Sequence, residues 1–385
     1  MQHSETNIAN RIEVIDVLRG FALLGICLRH FISRFDYSNG TRSNDFFLSG
    51  FDRFVEYVDY HFLIDKTYPI FALLFGFSMF LVSQSSRGQS PLRSYKRLLG
   101  LIPFACLNAI FFPCGDILGL YVMVGMLVLL LVKLPLKWVP YLVVFFLLQP
   151  LLWMQVFINL IGGPVQITGS NYPALIREVY ETIANGNLLS IIWVNLTKGQ
   201  FGNLLWALEV GRVCQTIGLI LLGYYLAQTN RFAQFIDKTK RPLRYLLIPV
   251  LVIIAIRTFE KFAAGAQVPK ELVLIIDKWR GLSFAFIYII LIIFIYNRVP
   301  SRYFAPLSLY GRMSLTHYIS QSIIGGVIFA PFALNGAAYL SNSSIVLLFM
   351  IVTVVQILFS KYWLAQNRYG PLERYWRRMS LYTFK

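Results

Sequence analysis

The stretch VIDVLRGFALLGICLRHFISRF (residues 14–35) decides how this chain is read. It is long and apolar enough for a membrane span, yet it carries Asp16, Arg19, Arg29 and His30. A charge at the bilayer centre costs roughly 2.5–3.5 kcal/mol on insertion scales, so such groups face a protein interior or a wet cavity. At about 100° per residue, Asp16, Arg19 and His30 fall at about 0°, 300° and 320° around the helix axis, in one sector. Arg29 points about 100° away from His30. The three-residue stripe therefore faces inward. At about 1.5 Å per residue, His30 lies roughly 16 Å from Arg19 along the axis. One wall of the protein thus carries a cation at one depth and a titratable imidazole at another.

The rest of the chain agrees with a membrane protein. Hydrophobic residues make up 57% of 385 and charged residues 14%, against about 25% charged in soluble domains. Long apolar runs recur, among them DILGLYVMVGMLVLLLV (116–132) and SIVLLFMIVTVVQILF (344–359). No strand alternation competes with them. The fold expected is all-α: a polytopic membrane helix bundle of about ten transmembrane helices, forming one domain over 1–385. The span cores are 14–35, 67–84, 98–112, 116–132, 138–160, 203–227, 243–258, 279–296, 307–331 and 344–363. The polar N-terminus lacks the pattern of a cleavable signal peptide.

Charge orients the spans. Arg87, Arg93, Lys96, Arg97, Lys133, Lys137, Arg231, Lys238, Lys240, Arg241, Arg298 and Arg302 alternate onto one side, with the basic tail. Asp36, Asp45, Asp52, Glu56, Asp59, Glu178 and Glu181 lie on the other. Both termini are therefore expected in the cytoplasm, with 36–65 and 162–202 extracytoplasmic. In the second of these segments Ile176, Val179, Ile183 and Leu188 recur at helical spacing, the signature of an amphipathic helix. The net charge of +17 follows from loop placement and argues against a nucleic-acid partner. Cys27, Cys106, Cys114 and Cys214 show no metal-binding spacing and read as small buried hydrophobes; no metal is expected.

Further polar groups fall inside the spans. Asp65 and Lys66 open the second helix and Asp116 the fourth, both from the outer side, at the level of His30. Glu209 with Arg212, and Arg257 with Glu260, sit one turn apart and read as ion pairs. Arg312 lies near the cytoplasmic interface, with Thr316, His317 and Gln321 deeper in the ninth helix. No P-loop, dinucleotide fingerprint, H-E-x-x-H or G-x-S-x-G occurs.

Five motifs in order, IDVLRGFALLGI (15–26), FALLFGFSMF (71–80), GDILGLYVMVG (115–125), GRMSLTHYISQSII (311–324) and GPLERYWRRMS (370–380), resemble the YeiB-like family of bacterial inner-membrane proteins. That family is similar to a transmembrane acyltransferase superfamily, which moves acyl groups from cytoplasmic acyl-CoA to acceptors across the membrane. YeiB-like proteins typically carry Asn where this chain has His30, and often Asn at His317. The superfamily's O-acetyltransferases instead carry Arg, ten residues, then His in the first helix, as Arg19 and His30 do here.

The resemblance implies a multi-pass inner-membrane enzyme. It would transfer an acyl group, acetyl above all, from acyl-CoA to an envelope glycan, lipid or small-molecule acceptor. Acyl-CoA is a donor substrate; no tightly bound cofactor is expected. His30 would be the general base; from their expected depth and not from the resemblance, Lys66 would stabilise the oxyanion and Asp116 would orient His30 or bind the acceptor. Arg19, Arg312, Arg93, Lys96 and Arg97 would neutralise the donor's phosphates. Asp16, His317 and Gln321 would contact substrate. The bilayer and a second copy of the chain complete the expected partners. The rival expectation is a secondary transporter of a metabolite or lipid, with His30 and Asp116 as a proton relay.

Overall fold

Every apolar run expected to span is helical, but several are broken. The computed structural model describes residues 2–37, 49–84, 91–112, 115–162, 172–238 and 243–382. Arg87, Lys240, Arg241, Asp45 and Cys114 lie outside them. Among the described residues there are helices and no strands. In chain order these are α1 (Gln2–Ile32), α2 (Gly50–Val58), α3 (Tyr68–Gln84), α4 (Pro91–Leu99), α5 (Ile102–Phe111) and α6 (Ile117–Leu131). Next come α7 (Val139–Leu147), α8 (Pro150–Gly162), α9 (Tyr172–Asn185), α10 (Leu188–Val194), α11 (Gln200–Glu209) and α12 (Arg212–Gln228). The C-terminal part holds α13 (Arg231–Lys238), α14 (Leu243–Phe262), α15 (Lys270–Tyr296), α16 (Ala305–Arg312), α17 (Ser314–Phe329), α18 (Asn342–Gln366) and α19 (Pro371–Tyr382).

Three helical stretches are long and apolar enough to cross a membrane: Gly50–Gln84, which contains α2, the turn at Asp65 and α3, together with Lys270–Tyr296 and Asn342–Gln366. Two bent pairs raise the number to five if each is one span. The first pair, α7 and α8 with the short turn before α7, bends by 48° at Gln149, whose φ is +64°. Pro150 follows and offers no amide to continue the α7 ladder. The second, α10–α11 with α12, bends by 80° at Gly211, where φ is +71°. A Cβ on Gly211 would come within 2.4 Å of Gln149 Oε1. The two breaks therefore abut.

Small residues bring the central helices together. A Cβ at Gly76 would lie 1.9 Å from the Ile220 carbonyl oxygen, and one at Gly223 would lie 1.8 Å from that of Leu73. Helices α3 and α12 thus touch backbone to backbone. Gly20 against Leu307 and Gly311 against Asp16 do the same for α1 and α16. Hydrocarbon gives little drive for helix association, so dispersion contacts at small residues carry it. Around these pairs one apolar cluster runs from Leu18 and Leu23 through Leu73 and Leu74 to Ile220 and Tyr310.

The expectation of an amphipathic helix within 162–202 holds in part. On α9, Val179 and Ile183 are buried, as its spacing implied. Leu188, assigned to the same stripe, begins α10 and is 56% exposed, because Gly186 and Asn187 end α9 and the register restarts.

Candidate functional site

The stripe on α1 opens into two separate cavities. Asp16 and Arg19 line one, of about 370 Å³. His30 lines the other, of about 920 Å³.

The first is an arginine cavity. Arg19, Arg97, Arg312, Arg368 and Arg377 line it, against the carboxylates of Asp16 and Glu373. Arg19 donates to Asp16 Oδ1 at 2.7 Å and to Ser78 Oγ at 2.9 Å. Those bonds tie the guanidinium between α1 and α3. Arg97 stacks 4.2 Å from the Trp376 ring, and the Trp376 indole donates to the Arg97 carbonyl at 2.8 Å. Burial, then Arg377, Arg19 and Arg93, push the Arg97 guanidinium down to about 9. Cationic charge is thus crowded in this cavity. Of the five cations grouped in the sequence analysis, Arg19, Arg97 and Arg312 line this one cavity; Arg93 and Lys96 share α4 but do not line it.

Arg368 and Arg377 were not foreseen. They come from the C-terminal segment, which folds back because Glu373 caps a distant helix. Glu373 Oε1 accepts from the Leu315 and Thr316 amides at 2.8 and 3.0 Å. Its Oε2 accepts from Thr316 Oγ1 at 2.6 Å. The first amides of a helix lack intrahelical partners and carry a partial positive charge, so a carboxylate from another helix is a natural cap for α17.

The second is the histidine cavity. His30 Nε2 is buried there with no hydrogen-bond partner among the described residues, and Phe112 packs edge-on at 4.6 Å. Asp116 lines the same cavity but is heavily committed. Its Oδ1 accepts from Asn108 Nδ2 and the Leu118 amide at 2.9 and 3.0 Å, and its Oδ2 from the Gly119 amide at 2.8 Å. It is the N-cap of α6. Beyond the end of α1, burial raises the Asp36 carboxyl to about 6, against Arg29 and a Ser33 hydrogen bond. Arg29 also lines this cavity and pairs with Asp59 at 3.1 Å, although its place on the wheel set it apart from the stripe.

Lys66 does not meet His30. Its ammonium donates to the Tyr60 and Ile64 carbonyls, each at 2.9 Å, and lies 5.7 Å from the Phe284 ring. Asp65 has φ +59°, which turns the following side chain away from the cavity. Asp65 itself lines it and is held by Arg212 and by Lys278 Nζ at 2.6 Å. Arg212 thus pairs with Asp65; its guanidinium also lies 4.3 Å from the Tyr68 ring and 4.8 Å from the Trp206 ring. Arg257 does pair with Glu260, at 3.1 Å.

His317 and Gln321 reach neither cavity. His317 Nε2 lies 2.6 Å from Ser360 Oγ, and its ring stacks on Tyr310 at 4.5 Å. Gln321 donates to Tyr310 Oη at 2.7 Å and Gln356 Oε1 at 2.8 Å. This buried network joins α16, α17 and α18, so their placement supports helix packing instead of the substrate contact expected. Cys27 and Cys214 are buried and Cys106 is exposed; all three are free thiols.

Over its described residues the chain is all-helical, with helices long and apolar enough to cross a membrane and two cavities that each carry charged side chains in their lining. Residues 226–383 match the family described as Protein of unknown function (DUF418). The chain is 27% identical to "Uncharacterized protein YxaH" of Bacillus subtilis, over 98% of this chain and 95% of that protein. It is 26% identical to "Uncharacterized protein YeiB" of Escherichia coli, over 95% of each. It is 27% identical to an "Uncharacterized 39.9 kDa protein in amylase 3'region" of Bacillus acidopullulyticus, over 96% of this chain and 94% of that one. The YeiB-like relationship implied by the five sequence motifs is thereby shown. No solved structure matches the chain.

Proposed function

We propose that this chain is a membrane acyltransferase. It takes acetyl from acetyl-CoA bound in the arginine cavity and passes it to a hydroxyl or amine held in the histidine cavity. One observation carries the reading: a single helix face supplies Arg19 to a cavity with excess cationic charge and His30, with a free ring nitrogen, to the cavity behind it. Arginine forks suit the phosphates of CoA. In this reading the bundle crosses the bacterial inner membrane about ten times, with both termini and the arginine cavity on the cytoplasmic side.

The step balances as a direct transfer. His30 Nε2 accepts the acceptor's proton, the freed oxygen or nitrogen attacks the thioester carbonyl, and the C–S bond breaks as the new C–O or C–N bond forms. The imidazolium then returns the proton to the departing CoA sulfur. Asp116 fixes the start of α6 in the wall of the same cavity, and Lys66, bonded to the Tyr60 and Ile64 carbonyls, takes no part in the step.

The test uses inverted membrane vesicles from an expressing host, which hold the native acceptor. Transfer of radiolabelled acetyl from acetyl-CoA should fall about 10²–10⁴-fold in His30→Ala, the usual worth of a general base, with acetyl-CoA binding kept. Arg19→Ala should weaken binding first. Full activity in His30→Asn would remove imidazole chemistry from this position.

The abutting breaks at Gln149 and Gly211 favour a second reading, because discontinuous helices are common in secondary transporters. Solute uptake coupled to a proton gradient, without acetyl-CoA use, would select it.

A further inference from the structure

The two cavities share a lining residue. Ile117 lines both of them. On α6, Leu118 and Tyr121 face the arginine cavity, while Asp116 and Leu120 face the histidine cavity. From α17, Tyr318 lines the arginine cavity, and its ring centroid stands 6.5 Å from that of His30, edge to face. Ile117 and the two tyrosines are all buried. Tyr121 is wedged between Phe71 and Phe75, with centroids 6.2 and 5.0 Å away. The Asp116 cap holds the first turn of α6 in place.

We propose that Ile117 and Tyr318 form a septum between the two cavities, and that this septum limits the group handed across to a two-carbon acyl. The size limit rests on the acyltransferase reading; the septum itself does not. The thioester carbonyl must come within reach of an acceptor beside His30. Among the described residues, Ile117 is the lining common to both cavities and Tyr318 stands between the arginine cavity and the His30 ring, so the proposed route runs past these two. Both are apolar or aromatic at that point, both are buried, and a β-branched side chain and an aromatic ring each have few rotamers with which to yield. Each methylene beyond acetyl must then be packed against a rigid wall. One extra methylene in a fitted apolar pocket commonly costs tenfold or more in rate. Shortening Ile117 removes the element common to both cavities and leaves the Arg19 and His30 ends untouched.

The septum is tested by sidedness. Leu118→Cys is made with the native cysteines replaced by alanine, and a membrane-impermeant maleimide is applied to right-side-out or inverted vesicles. With Ile117 present, labelling should come from one face only; adding Ile117→Ala should open it to both. Labelling from both faces with Ile117 in place, or from one face without it, overturns the septum. Ile117→Val makes the same change in a smaller step should the alanine variant fail to accumulate in the membrane. Size selection is tested with acetyl-CoA and butyryl-CoA in the vesicle transfer assay. The wild type should prefer acetyl by tenfold or more, and Ile117→Ala should narrow that preference at least tenfold. An unchanged preference in a variant that labels from both faces overturns the size limit. A wild type that neither binds nor uses either thioester overturns the acyltransferase reading instead, while the labelling still decides the septum.

Discussion

Residue by residue, the legible part of the site is what a single helix can dictate. Asp16, Arg19 and His30 share a face because a helix advances about 100° per residue, and that is the face the cavities occupy. Beyond one helix the projection fails. Lys66, expected at the level of His30, faces the Tyr60 and Ile64 carbonyls instead of the cavity, because the left-handed backbone at Asp65 resets the direction of the next side chain. Asp65 takes the place at the cavity wall, held by Arg212 and Lys278, partners 147 and 213 residues away that no local spacing reveals. Asp36 offers a pH test at this scale. Its native carboxyl is raised to about 6 from an unfolded value of about 3.9. The folded state therefore holds the proton more tightly, and the stability this contributes is present below about pH 4 and lost as pH rises through about 6. In detergent, Asp36→Asn should melt at a higher temperature than the wild type at pH 7–8, and the gap should close near pH 4. A gap that does not change with pH would show that burial of the charge is not the cause.

Among the elements, α19 is the one whose place could not be read. Its sequence is polar and basic, so composition assigns it to solvent and topology. Its position is set by one carboxylate, Glu373, meeting the bare amides of α17, with Trp376 locking onto α4. Burial raises the Glu373 carboxyl, and the hydrogen bonds from Thr316 and Leu315 oppose the rise. Glu373→Ala deletes three accepted hydrogen bonds and uncaps α17. Loss of a helix cap alone typically costs about 1 kcal/mol. The larger effect should be functional, since Arg368 and Arg377 lose their mooring. Hydrogen exchange across 368–380 should speed up in Glu373→Ala, with acetyl-CoA affinity falling tenfold or more, while α1 and α3 stay protected. Unchanged exchange in the tail would mean that Trp376 and Tyr369 hold α19 without the cap.

For the whole molecule, hydropathy located the helices and missed their breaks. Gln149 and Gly211 sit inside apolar runs, and nothing in a run's average hydropathy marks a residue with positive φ. The distribution of charge, by contrast, survives folding. Basic residues scattered over α1, α4, α16 and the tail converge as five arginines around one cavity of about 370 Å³ with two carboxylates. Such crowding opposes folding, and burial together with its neighbours lowers Arg97 to about 9. A polyanion that fills the cavity should offset the repulsion and stabilise the native state. Mass action sets the scale: a ligand at 100 times its Kd adds about 2.7 kcal/mol. Acetyl-CoA should therefore raise the melting temperature of the detergent-solubilised protein. Acetyl-pantetheine, which has the thioester arm without the phosphates, should raise it far less. Salt should act with opposite signs in the two states. It should stabilise the ligand-free protein by screening arginine repulsion, and weaken the acetyl-CoA shift by screening the attraction. Arg19→Ala and Arg377→Ala should each shrink that shift. Equal shifts from acetyl-CoA and acetyl-pantetheine would take the phosphates out of the arginine cavity, and with them the donor's place in this molecule.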